Sequence, residues 1–73
     1  MIKKFVAELK DGRTISVEIK VLDGAYTVVI DNGVHGIVTK IEKTLEGLME
    51  HFDKTLEGIK DHSIKVVVTE GEA

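Results

Sequence analysis

The sequence predicts an α+β fold: a single antiparallel sheet of about five strands in the order β-β-β-β-α-β, with one long amphipathic helix packed across one face. Three observations lead there. Val, Ile and Thr make up 24 of the 73 residues, and in the first half they alternate with polar side chains, the period of a half-buried strand. Asp11-Gly12, Asp23-Gly24 and Asn32-Gly33 punctuate that half at turn spacing. From Ile41 onward the apolar residues step at helical spacing instead.

In the first strand Phe5, Ala7 and Leu9 share a face; in the second, Ile15, Val17, Ile19 and Val21 do. Facing partners must lie on the same side of the sheet. A two-residue Asp11-Gly12 loop would set Ala7 against Ser16 and mix the faces. A three-residue loop, Lys10-Asp11-Gly12, sets Ala7 against Ile15 and Phe5 against Val17, with Gly12 as a left-handed bulge residue after a type I turn. A two-residue type I′ loop at Asp23-Gly24 pairs Val21 with Tyr26, Ile19 with Val28 and Val17 with Ile30. For the third hairpin, a two-residue Asn32-Gly33 loop turns His35 and Ile37 inward. A three-residue Asp31-Asn32-Gly33 loop turns Val34, Gly36 and Val38 inward; it is preferred because it buries two valines and leaves His35 in water.

Ile41, Leu45, Leu48, Met49, Phe52, Leu56 and Ile59 form one apolar stripe, so a helix is expected over 40–61, about 33 Å long. Thr39 is its expected N-cap, with Glu42 completing a capping box. A last strand over 64–70 alternates Ile64, Val66 and Val68 with Lys65, Val67 and Thr69, and is expected beside the first strand. The chain thus reads as a single small domain: a β-meander over 1–39, the helix, the last strand and a frayed tail over 71–73.

The net charge is −3, from ten basic and thirteen acidic residues. Residues 1–40 carry net +1 and residues 41–73 net −4. That balance argues against a nucleic-acid binder, which needs a basic face to release phosphate counterions. Lys3, Lys4, Lys10, Arg13 and Lys20 are the residues such a binder would use. No apolar run reaches the length of a membrane span, and Met1-Ile2-Lys3-Lys4 is followed by no leader-type apolar core, so the expected compartment is the cytoplasm.

Residues 43–51 (KTLEGLMEH) and 54–62 (KTLEGIKDH) match at six of nine positions. The eleven-residue offset, close to three turns, keeps each position on nearly the same face. The repeat carries Gly47 and Gly58, which are expected opposite the apolar stripe, where glycine costs helix stability but admits another backbone. Glu42, Glu46, Glu50, Asp53 and Glu57 form an acidic stripe down one flank. Only Glu50 and Lys54 make an attractive pair of the favoured order, so the stripe is a candidate surface for a basic partner. Val6, Val29, Ile37 and Val67 point away from the helix and form a candidate interface for a partner or a second copy.

Nothing points to catalysis. Cysteine is absent, and His51 and His62 are about 16 Å apart along the helix, too far to share a metal. Ser16 and Ser63 lack an assignable histidine and acid, and the glycines spell no phosphate loop. No cofactor or metal is expected. The expected function is a small non-enzymatic protein-binding module of inhibitor or adaptor type, working through the acidic helix face, the apolar outer sheet face, or both. The alternatives are a homo-oligomeric assembly subunit, a nucleic-acid binder, and a designed chain. Absent proline and well-formed turns suit the last, but outward helix glycines argue against it.

Overall fold

A computed structural model describes residues 2–33 and 36–71. Strands β1 (Lys3–Leu9), β2 (Thr14–Leu22), β3 (Ala25–Asp31) and β4 (Ile37–Glu42) precede helix α1 (Leu45–Lys60) and strand β5 (Ser63–Glu70). All pairings are antiparallel, in the order β4-β3-β2-β1-β5, so β5 lies beside β1 as expected and β4 and β5 are the two edges.

The first two hairpins follow the face argument. Ala7 pairs with Ile15 and Phe5 with Val17. The loop is closed by Leu9 N–H to Arg13 O at 2.8 Å, with Gly12 at φ +90°. The Asp11 carboxylate braces this turn, accepting from the Arg13 backbone N–H at 3.0 Å and from Arg13 Nε at 2.7 Å. The Arg13 backbone bond, and then its guanidinium, hold the Asp11 carboxyl below the usual range. In the second hairpin Asp23 and Gly24 both take positive φ (+52° and +79°), the signature of a type I′ turn, and Val21, Ile19 and Val17 face Tyr26, Val28 and Ile30.

The third hairpin departs from expectation. The first strand pair is Asp31 with Ile37, and Asn32 N–H donates to Gly36 O at 3.4 Å. The loop therefore spans five residues and the register moves by four, which preserves the faces. Val38 still points inward opposite Ile30, but Lys40 and Glu42 follow it inward, opposite Val28 and Tyr26. Gly36 belongs to the loop at φ +88° and joins no inner face. Val34 and His35 lie outside the described residues.

The helix begins later than its periodicity suggests. Thr44, not Thr39, is the N-cap: its backbone is extended and its hydroxyl accepts from Gly47 N–H at 3.0 Å. Residues 37–42, rich in β-branched side chains, remain in β4, so Ile41 sits on the outer sheet face and not at the head of the helical stripe. With sixteen residues α1 is about 24 Å long. We expect Thr44→Ala to cost about 1 kcal/mol in urea unfolding, and Thr39→Ala to leave the midpoint nearly unchanged.

Phe5, Ala7, Val17, Ile19 and Val28 from the sheet and Leu48 and Phe52 from the helix are fully buried. Phe5 and Phe52 meet edge to face, with ring centroids 5.3 Å apart at 75°. Lys3 Nζ lies 5.1 Å from the Phe52 ring centroid, and 3.9 Å from Glu70 Oε1 on β5. Met49, Leu56 and Ile59 pack around this centre. The expected tail is partly tied down, since Gly71 N–H donates to Ile2 O at 3.0 Å.

The two helix glycines differ. Gly58 is exposed and open, as expected. Gly47 is half-buried beside the cap, where a Cβ would meet Thr44 Oγ1 at 3.2 Å and Glu42 Oε2 at 3.5 Å. Gly58→Ala is therefore expected to gain about 0.8–1 kcal/mol from helix propensity. Gly47→Ala should gain less or lose, because its methyl crowds the cap; thermal melts of the two variants check this.

Candidate protein-docking surface

The acidic stripe does not stay whole. Glu42 leaves the helix for β4, where its carboxylate lies 3.2 Å from His51 Nδ1 and 3.7 Å from Lys40 Nζ. Glu50 pairs with Lys54 at 2.8 Å, and the ammonium holds its carboxyl below the usual range through a hydrogen bond and direct attraction. Glu57 pairs with Lys60 at 3.6 Å. Glu46 and Asp53 are exposed. The helix flank therefore mixes two lysines into its acidic residues, closer to an ordinary solvated face.

The reorganised β4 creates an arrangement the periodicity did not show. Lys40, Glu42, Gly47, Glu50, His51 and Lys54 line a shallow cleft of about 340 Å³ between β4 and the first turns of α1. His51 is thus the partner of Glu42 and not a free surface side chain. The cleft is open, and its charges largely answer one another.

The four apolar candidate-interface residues all lie on the face away from α1, as expected. Cross-strand rows run Thr39–Val29–Glu18–Lys4–Thr69 and Ile37–Asp31–Ser16–Val6–Val67. They do not make one patch. Val29 and Ile37 occupy one corner and Val6 and Val67 the other, with β2 between, so Val29 and Val6 are roughly 10 Å apart at ordinary strand spacing. The intervening strand carries Glu18 and Lys20, whose charged ends lie 4.0 Å apart.

The β3–β4 corner is the richer of the two, because the shifted β4 adds Ile41. Ile37 and Ile41 are 65% and 66% exposed, Thr39 lies between them, and half-buried Val29 sits alongside. Thr27, opposite Ile41, is buried with its hydroxyl bonded to Ala25 O at 3.1 Å, so it offers no free polar group. Asp31 is the one charged side chain among these rows of β3 and β4. The other corner forms a shallow depression of about 210 Å³ lined by Val6, Glu8, Thr14, Lys65 and Val67. Ile41 was legible in the sequence only if the β-branched run 37–41 was allowed to outweigh helical spacing.

Among the described residues no three His, Cys, Asp or Glu side chains converge as metal ligands, and no helix is long and apolar enough to cross a membrane. No protein-family model, curated protein or solved structure matches the chain.

Proposed function

We propose that the protein is a non-enzymatic protein-binding module, and that it docks its partner on the outer corner of the sheet built by Val29, Ile37, Thr39 and Ile41. The carrying observation is the exposure of Ile37 and Ile41 on the outer face of an edge strand, one on each side of Thr39. Scattered apolar side chains are ordinary on a surface, but two exposed isoleucines on one strand face with Val29 alongside, and only Asp31 charged among these β3 and β4 rows, favour a covering partner. The acidic flank and Gly58 form a secondary surface in this reading, weakened by the Glu50–Lys54 and Glu57–Lys60 pairs. The absence of cysteine suits a cytoplasmic setting, and we place the module there.

Edge-on strand addition is not the mode we assign to β4. Lys40 points to the inner face at the middle of this edge strand, and an inward charge of that kind discourages strand pairing. The partner instead meets the outer face flat, presenting an apolar surface of its own.

The test is affinity capture with immobilised wild-type chain, the Ile37→Lys/Ile41→Lys double variant, and a Glu46→Lys/Glu50→Lys/Glu57→Lys triple variant. The proposal expects a protein retained by the wild type and the triple variant and lost, at least tenfold, by the double variant. Loss confined to the triple variant moves the site to the helix, and equal retention by all three removes the proposal.

A further inference from the structure

The opposite edge of the sheet lacks the protection that Lys40 gives β4. β5 is eight residues long, and Val66, Val67 and Val68 at its centre carry no charge. Ile64, Val67 and Val68 are 66%, 49% and 45% exposed, although all belong to a strand already paired on its other side with β1. Proline, an inward lysine or a covering helix usually blunts such an edge. Here the two charged side chains, Lys65 and Glu70, stand near the strand's ends.

We propose that β5 pairs antiparallel with β5 of a second copy of this chain, joining two five-stranded sheets into one of ten about a twofold axis at Val67. The register is set by the sequence. With Val67 opposite its own copy, Val66 faces Val68 and Lys65 faces Thr69; the regular pairing stops short of Ile64, where the register against β1 shifts between Glu8 and Leu9. Inner residues Val66 and Val68 then meet inner residues, and outer residues meet outer ones, as the pleat demands. No like charges oppose, and each Lys65 is four positions from its twin. A parallel in-register pairing would instead set Lys65 against Lys65 and Glu70 against Glu70, which is unfavourable. On the outer face, Val6 and Val67 of both copies become one continuous apolar row. A self-complementary patch of this kind is what a twofold dimer requires. This interface lies across the sheet from the β3–β4 corner, so the two surfaces can be occupied together and fail separately.

The chain has no cysteine, so Val67→Cys introduces a single thiol. In an antiparallel pair the two Cα atoms at that position would lie about 4.5–5.5 Å apart, within disulfide reach. Mild oxidation should convert most of the Val67→Cys chain to a covalent dimer, while Asp53→Cys on the helix should stay largely monomeric. Sedimentation equilibrium should give twice the chain mass for wild type and for Ile37→Lys, and the chain mass for Val68→Lys, whose change is on the inner face that only edge pairing brings together. A monomeric wild type at high micromolar concentration, a Val68→Lys variant that stays dimeric, or equal crosslinking of the two thiols overturns the proposal. If Val68→Lys does not fold, the crosslinking comparison still decides.

Discussion

Phe52→Ala should leave the protein unfolded or barely folded at room temperature. The ring is fully buried, and it contacts Phe5 edge-on at 5.3 Å while Lys3 Nζ lies over it. Removing a buried phenylalanine costs about 3–5 kcal/mol from lost transfer free energy and the cavity left behind. A core in a chain this short supplies only about 3–5 kcal/mol in all. The residues around the cavity come from both layers, with Phe5 on the sheet and Leu48 on the helix, so the gap cannot close without separating them. Far-ultraviolet dichroism followed through a urea titration should show no cooperative transition, or one displaced to very low denaturant. A midpoint close to wild type would mean that the helix does not hold the sheet as described.

The second large effect separates the two sheet faces. Val17→Asp places a carboxylate at a fully buried inner position, between Phe5 and Ile30. An unpaired buried charge belongs to the class of substitutions that exceed about 4 kcal/mol. No folded population is expected. Ile41→Asp, also on a β-strand and also replacing a β-branched residue, falls at a position 66% exposed on the outer face. Its cost should stay within about 0.5 kcal/mol, as for ordinary surface changes. If Ile41 headed the helical stripe and faced the core, the second variant would be nearly as damaging as the first. Parallel urea titrations of the pair therefore test both the register of β4 and the start of α1.

The fate of individual residues shows what the sequence made legible. At the first hairpin parity decided between a two- and a three-residue loop, and at the second a two-residue loop met it, so Phe5, Val17 and Ile30 share a face. Parity could not fix the third. A five-residue loop and a three-residue loop give the same inward and outward sets, so Val38 and Ile37 were placed on their correct faces while the register slipped by four. The helix start was ambiguous for a related reason. Ile41 lies four residues before Leu45 and also two after Thr39, so it fits both periods. Two threonines then competed as caps, and Thr44 prevails because the strand it follows has β3 to pair with.

The surfaces were less legible than the fold. Reading Glu42 as helical made the acidic stripe one residue longer than it is and concealed the His51 contact. The split of the apolar face into two corners follows from strand order, since β2 with Glu18 and Lys20 stands between Val29 and Val6. The merit of the β3–β4 corner depends on Ile41, and that residue comes alongside β3, opposite Thr27, only through the longer third loop.

The central claim is that a protein partner covers the β3–β4 corner. Amide hydrogen exchange of the chain, alone and bound to the protein captured by the wild type, tests it most directly. The account predicts slowed exchange on binding across Ala25–Asp31 and Ile37–Glu42, with Leu45–Lys60 unchanged. Slowing confined to Leu45–Lys60, with β3 and β4 unaltered, would contradict it and return the binding surface to the helix.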